Sequence, residues 1–159
     1  MIETTYIDDN FGGLLKKIAT IIYLQLGSGH NEKIYQKALK YELDCNEIHC
    51  DLERHVTVRY TDSLGKTHCL ESERIDIYIH EDSILKKGPV ILELKAIQRN
   101  IQEPERVQVR KYFTELKKEG INAVYGIIIN FPQPNSKETR KDIDYEVIHN
   151  DHYLDVSTP

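Results

Sequence analysis

The 159-residue sequence has few cysteines, no long apolar run and no excess of positive charge. The three cysteines, Cys45, Cys50 and Cys69, cannot all pair within one chain, which favours free thiols over a disulfide framework. No apolar stretch reaches the roughly 18 residues of a membrane span. The N-terminal segment MIETTYIDDN also lacks the basic and apolar regions of a signal peptide. We therefore expect an intracellular protein, in the cytoplasm or the nucleus, that does not contact a membrane.

The formal net charge of −5 is opposite in sign to that of most proteins that bind nucleic acid over a broad surface. Any contact with a phosphate backbone must therefore use a local basic patch. The sequence also lacks a glycine-rich phosphate loop after a strand, and no Ser/His/Asp or Cys/His set stands out. These absences argue against P-loop nucleotide hydrolysis and against acyl transfer.

A structural zinc site is one interpretation of the stretch CNEIHC, which holds Cys45, His49 and Cys50. The stretch lacks the paired C-x-x-C of a zinc knuckle, so free thiols are the favoured interpretation. Length and a composition of 40% apolar and 30% charged residues fit a single domain. We expect its core to span about residues 12–149, followed by a polar tail over residues 150–159.

The hydrophobic pattern predicts two helices followed by a sheet. Apolar residues recur at helical spacing over residues 14–26, and Gly27 and Gly29 end that helix. A second helix starts near Asn31 and fades by Ile48, which predicts an N-terminal helical hairpin.

From Glu53 the hydrophobic period changes to two, which is typical of a strand. The segment DSLGK predicts a turn into a partner strand around residues 67–70, followed by a further strand over residues 75–79. HEDSILKKGP is an exposed connection whose SIL extends a neighbouring strand. The run PVILELKAI is apolar at nearly every position, as expected for a strand buried on both faces.

Pro104 begins a helix that runs to about Glu119 and ends at Gly120, and AVYGIIINF predicts another buried strand. The order strand, helix, strand predicts a parallel crossover, and residues 145–148 add an edge strand. The predicted fold is thus α/β, with a central mixed sheet of about five strands flanked by helices.

Two charged residues, Glu93 and Lys95, interrupt the buried run PVILELKAI. Because side chains alternate across a strand, they share one face, opposite Leu92 and Leu94. Asp76 meets them at one edge of the sheet if its strand is the neighbour. A slip of one residue in the register between the two strands would turn Asp76 away.

Two carboxylates at such an edge suit Mg²⁺ or Mn²⁺, with a backbone carbonyl as a further ligand. Lys95 would orient the attacking water or stabilise charge on phosphorus, as in metal-assisted phosphodiester hydrolysis. The simpler interpretation is that Glu93 and Lys95 form an ion pair at a strand end.

The segment GHNEKIY, residues 29–35, resembles the motif that names the GxxExxY proteins, a family placed in the PD-(D/E)XK nuclease superfamily. Later segments resemble that family in the same order. ERIDIYI looks like its aspartate strand, VILELKAI like its E-x-K strand, QVRKY like its glutamine-and-tyrosine helix, and IIINF like its closing strand. The resemblance covers roughly residues 12–131 and implies a restriction-endonuclease-like core.

The resemblance also implies roles for individual residues. Asp76 and Glu93 resemble the metal ligands, Lys95 the catalytic lysine, and Glu32 the helical acid that lies near the metal. An acid in the first turn of a helix is also favoured by the helix dipole alone, so both interpretations of Glu32 stay open.

Gln108 and Tyr112 resemble the Q-x-x-x-Y element of the RecB-like branch, which contacts substrate and braces the site. They lie one turn apart and share a helix face, although Tyr112 would serve equally well as a core residue.

A local basic patch is predicted on the same helix, where Arg106, Arg110 and Lys111 would form a track for phosphates beside the metal. The interspersed Glu105 and Glu115 favour the alternative of a solvated helix face.

The sequence therefore predicts Mg²⁺- or Mn²⁺-dependent hydrolysis of DNA phosphodiester bonds, with Asp76, Glu93 and Lys95 at the centre. The alternative is a catalytically silent module of the same fold that binds nucleic acid or protein as a scaffold, as a homodimer through the helical hairpin. Side chains that diverge, or an ion pair between Lys95 and Glu93 that closes the site, would favour the scaffold.

Overall fold

The computed structural model describes residues 2–81, 88–134 and 142–151, with side chains from residue 11 onward. Its helices and strands follow one another in the order α1 (Ile2–Leu26), α2 (Glu32–Cys45), β1 (Cys50–Thr61), β2 (Thr67–Ile79), β3 (Val90–Lys95), α3 (Glu103–Lys118), β4 (Tyr125–Asn130) and β5 (Asp144–His149). This order confirms the predicted α/β class and the helical pair at the N-terminus.

The five strands form one mixed sheet in the order β1-β2-β3-β4-β5. β3 and β4 are parallel and α3 connects them, which confirms the predicted crossover. The other neighbouring pairs are antiparallel. β3 and β4 lie in the middle of the sheet, and this explains why their sequences are almost continuously apolar.

Helices cover both faces of this sheet, so the fold has three layers. One core packs α1 and α2 against the side of β3 that carries Leu92 and Leu94. The other core packs α3 against the side that carries Ile91. α3 approaches the sheet closely at Gly126, where an added Cβ would lie 2.5 Å from the Val109 side chain.

The prediction of two separate strands over residues 67–70 and 75–79 was wrong, since β2 is continuous from Thr67 to Ile79. Residues 67–75 of β2 pair only with β1, and β2 pairs with β3 only over Ile77–Ile79. Much of β2 therefore lies where the sheet is only two strands wide. Residues 67–74 are exposed or half-buried there, so no apolar alternation marks them in the sequence.

Three further boundaries differ from the sequence prediction. α1 extends back to Ile2, α2 ends at Cys45, and β1 already begins at Cys50. The predicted strand extension at SIL, residues 83–85, and most of the predicted tail lie outside the described residues. Cys45 and Cys69 are exposed thiols and Cys50 is a buried one. Within the described ranges, no helix is both long enough and apolar enough to cross a membrane.

Candidate active site

The candidate site opens where β2 and β3 separate. Their pairing ends at Ile77 opposite Leu92, so the next residues along the two strands are Asp76 and Glu93. Beyond this point the Asp76 side chain links the two strands, because its Oδ2 accepts a hydrogen bond of 2.7 Å from the backbone N–H of Leu94. The register therefore brings Asp76 to the same edge of the sheet as Glu93.

Glu93 is buried, with 4% of its surface exposed. Its Oε1 lies 3.4 Å from Nζ of Lys95, whereas its Oε2 is buried and has no hydrogen-bond partner among the described residues. A buried carboxylate oxygen without a partner is costly unless a ligand satisfies it. Together with the hard oxygen donors of Asp76, this orphaned oxygen fits a divalent cation such as Mg²⁺ or Mn²⁺.

The two carboxyl groups are close enough to affect each other's ionisation. Burial raises the pKa of Asp76 to about 6, against the opposing effect of the Leu94 hydrogen bond. Burial, followed by the negative charge of Asp76, raises the pKa of Glu93 to about 8. Lys95 opposes both shifts, and the charge of Glu32 adds to both. A bound divalent cation would favour the charged form of both carboxyl groups and would therefore lower both pKa values.

Among the described residues, no three His, Cys, Asp or Glu side chains form a ready-made chelating group. The structure therefore offers Asp76 and Glu93 as a pair of ligands, with water or a backbone carbonyl left to complete the shell. Such incomplete protein coordination is usual for Mg²⁺, which keeps several waters.

Lys95 is joined to α3 by a chain of hydrogen bonds. Its Nζ lies 3.5 Å from Oε1 of Gln108, at the limit of a hydrogen bond. Nε2 of Gln108 donates to the Tyr112 hydroxyl at 2.9 Å, and that hydroxyl donates to the backbone carbonyl of Arg74 at 2.9 Å. Gln108 and Tyr112 are thus hydrogen-bonded to each other, in keeping with their spacing of one turn.

Glu32 enters the site from the N-terminus of α2. The side chain of Asn31 caps this helix by accepting a hydrogen bond from Ile34 N–H. Glu32 lies on the wall of a cleft of about 330 Å³ whose lining residues are Glu32, Lys33, Gln36, Glu53, Arg74, Asp76, Glu93, Leu94, Lys95 and Gln108. Five of the six proposed catalytic and metal-binding residues therefore meet in one cleft. The sixth, Tyr112, is buried behind it.

The segment GHNEKIY fixes this end of α2 to the sheet. Tyr35 stacks on Phe131 with a centroid distance of 4.3 Å and an angle of 3°. The Tyr35 hydroxyl donates to the carbonyl of Gly27, and Gly29 turns the chain with a φ of 96°. The Gln133 side chain links Gly29 to Tyr35. Its Oε1 accepts a hydrogen bond from Gly29 N–H, and its Nε2 donates one to the Tyr35 hydroxyl. Tyr35 is thus a packing residue that holds Glu32 at the cleft.

The three basic residues of the expected phosphate track do not line this cleft. Each of them pairs with a carboxylate. Arg106 pairs with Glu146 and Glu103, Arg110 also pairs with Glu103, and Lys111 pairs with Glu73.

Sequence reasoning missed four residues that line the cleft, namely Lys33, Gln36, Glu53 and Arg74. Gln36 follows Tyr35 on α2 and has no pattern that separates it from a solvent-facing glutamine. Glu53 has a φ of 56°, a left-handed conformation that is uncommon for residues other than glycine, asparagine and aspartate. Such a conformation leaves no signal in a single sequence. Arg74 lines the cleft because β2 continues without a break through this position, which the sequence pattern places between two predicted strands.

Comparisons with known proteins identify the family and the fold of the chain. The family model of the PD-(D/E)XK nuclease superfamily matches residues 9–143. The solved structure of SSO0001 is similar, with a TM-score of 0.51 and 18% identity over 74% of this chain and 50% of that one. The chain thus spans about half the length of that solved structure, and at this identity the likeness concerns the fold alone. No curated protein matches. Because the family model matches most of its length, the chain belongs to the PD-(D/E)XK nuclease superfamily.

Proposed function

We propose that the protein is a Mg²⁺- or Mn²⁺-dependent nuclease that hydrolyses DNA phosphodiester bonds, and that it is a GxxExxY protein of the RecB-like branch. One observation carries the proposal: the buried Oε2 of Glu93 has no hydrogen-bond partner within the described part of the chain, and it lies in a cleft that also holds Asp76 and Lys95. A scaffold would have no reason to keep an unsatisfied carboxylate oxygen at an open cleft.

Asp76 and Glu93 would hold the ion. When bound, the ion supplies Lewis-acid activation of water and neutralises charge on the phosphate. Asp76 presents its carboxylate in a fixed orientation, because Leu94 N–H holds its Oδ2. Glu93 offers Oε2 without breaking any contact with the described residues.

Lys95 would donate from Nζ to the attacking water or to the oxygens that gain charge at phosphorus. Its position is set by Oε1 of Glu93 and Oε1 of Gln108, at 3.4 Å and 3.5 Å. Both contacts are long, so Nζ can turn towards a substrate oxygen at little cost. Tyr112 would keep Gln108 in place, and Glu32 would act from the opposite wall.

Contact with the DNA backbone would use Arg106, Arg110 and Lys111. Each would exchange its present carboxylate partner for a phosphate. Because an existing ion pair must break first, each exchange contributes less binding free energy than an unpaired cation would. We therefore expect the DNA binding by this patch to be weak and sensitive to salt.

The proposal is tested by nicking of supercoiled plasmid in Mg²⁺ and in Mn²⁺. Wild-type protein should cut, and Lys95→Met and Glu93→Gln should lower the rate by about a hundredfold or more, the usual loss when a charge-stabilising group is removed. Lys37→Met, an exposed lysine on α2, is the matched control and should cut as wild type does. Equal cutting by wild type, Lys95→Met and Glu93→Gln would contradict the proposal.

One contact favours the second candidate, a silent scaffold. Nζ of Lys95 already pairs with Oε1 of Glu93, the ion pair that could close the site. This ion pair engages only one of the two carboxylate oxygens of Glu93 and leaves the cleft open. The arrangement therefore favours the nuclease over the scaffold. Wild-type protein that binds DNA but neither cuts it nor binds Mn²⁺ would establish the scaffold.

A further inference from the structure

We propose that Gln36 is a positioning residue that holds the backbone of Asp76 for cation binding, an inference that rests on the proposed function. Gln36 lies on α2 and is 5% exposed. Its Nε2 donates a hydrogen bond of 2.7 Å to the backbone carbonyl of Asp76. Gln36 also lines the cleft that holds Asp76 and Glu93.

Neither neighbouring strand pairs with Asp76 in the ladder, so its carbonyl can take a side-chain donor. On the β3 side, pairing ends at Ile77. On the β1 side, the register runs from Leu52 opposite Ile77 to Arg54 opposite Ile75 and omits the position between them. Glu53 occupies that position in a left-handed conformation, and the pairing of β1 with β2 is interrupted there.

Asp76 is therefore held at two points by two different elements. α2 holds its carbonyl through Gln36, and β3 holds its carboxylate through Leu94 N–H. A side chain fixed at both its backbone and its carboxylate has few orientations, and a fixed orientation raises the affinity of a carboxylate for a cation.

α2 is a suitable element from which to hold this position. Glu32 and Gln36 lie one turn apart and line the same cleft. Between them, Tyr35 stacks on Phe131, the residue that directly follows β4, so the helix cannot slide relative to the end of β4 without breaking that stack. Gln36 thus couples the start of α2 to the geometry of the proposed metal ligand.

The test is calorimetric titration of Mn²⁺ into wild type, Gln36→Leu and Gln36→Met. Both substitutions keep an apolar stem of similar size and remove the donor. Lys37→Leu, the exposed neighbour on α2, is the matched control. We expect a loss of about tenfold in Mn²⁺ affinity for both Gln36 variants, as is typical when a group that orients a metal ligand is removed.

A second readout separates positioning from packing. The single-turnover cleavage rate is measured against Mn²⁺ concentration, and thermal unfolding is followed in the absence of metal. A positioning role predicts that half-saturation shifts by about tenfold, while the rate at saturating Mn²⁺ recovers to within about twofold.

Unchanged Mn²⁺ affinity in both folded variants would overturn this inference and leave the nuclease proposal intact. A reduced rate at saturating Mn²⁺ with unchanged affinity would also overturn it, because Gln36 would then act on substrate. Wild-type protein without affinity for Mn²⁺ would overturn the proposed function, and this inference with it.

Discussion

Oδ2 of Asp76 accepts a hydrogen bond from the backbone N–H of Leu94 at the point where β2 and β3 part. The same carboxylate therefore serves the fold and the proposed cation site. These two roles can be separated, because an amide oxygen can accept the bond without carrying the charge.

Asp76→Asn should keep the bond to Leu94 and lose Mn²⁺ binding. Asp76→Ala should lose both, and it should also destabilise the protein by about 1–3 kcal/mol because it leaves a polar N–H unpaired. Chemical unfolding of the metal-free variants, together with Mn²⁺ titration, measures the two effects. Equal stability of the two variants, or wild-type affinity in Asp76→Asn, would contradict this assignment.

The raised pKa values of Asp76 and Glu93 predict how stability depends on pH. Since the pKa of each carboxyl is higher in the folded protein, the folded state binds more protons than the unfolded state between pH 4 and pH 8. As far as these two groups are concerned, the metal-free protein should be most stable below about pH 4. Its free energy of unfolding should fall by several kcal/mol as pH rises towards 8.

Urea unfolding at several pH values in the presence of a chelator measures this fall. Glu93→Gln removes the more strongly shifted carboxyl, so its stability should fall less over the same range. Mn²⁺ affinity of the wild type should change in the opposite direction and increase with pH, because the ligands must lose their protons. A stability that rises between pH 5 and pH 8 in wild type and less steeply in Glu93→Gln would contradict the assignment.

The Tyr112 hydroxyl links Gln108 to the carbonyl of Arg74. Tyr112→Phe should therefore cost about 1–2 kcal/mol of stability, because a part-buried carbonyl loses its donor. Cleavage should also slow by about tenfold as Gln108 loses its support, while Mn²⁺ affinity stays unchanged. Tyr60→Phe is the matched control, since Tyr60 is exposed. A loss of stability with an undiminished rate would show that Tyr112 serves packing alone.

Glu53 combines a left-handed backbone with a position in the cleft. Glu53→Gly and Glu53→Ala both remove the carboxylate, but only glycine relieves the backbone conformation. The glycine variant should therefore be more stable than the alanine variant by about 1 kcal/mol. Urea unfolding of the pair measures this difference. If the Glu53→Ala variant is as stable as the Glu53→Gly variant, the backbone is not strained at this position.

The sequence predicts the fold well where burial leaves a pattern. The run of apolar residues in PVILELKAI and IIINF marks the two central strands, and the helix between them fixes their parallel order. The charged pair Glu93 and Lys95 is visible because it interrupts such a run. Asp76 is predicted through the resemblance of ERIDIYI to the family's aspartate strand, and only the structure supplies the register of Ile77 opposite Leu92.

The residues that the sequence does not reveal are those whose role depends on a tertiary contact. Gln36 binds a carbonyl forty positions away in the sequence. Glu53 reaches the cleft through a local backbone conformation. The ion pairs of Arg106 and Lys111 depend on Glu146 and Glu73, which lie on other elements, so a basic helix in the sequence becomes a neutralised one in the fold.

The central claim is that Asp76 and Glu93 hold one divalent cation. The most direct measurement is a crystal structure of the wild-type protein grown with Mn²⁺, with the ion located by its anomalous scattering. The account predicts a peak within about 2.5 Å of carboxylate oxygens of both residues, including Oε2 of Glu93. A map without a peak in this cleft, with Lys95 still paired to Glu93, would contradict it.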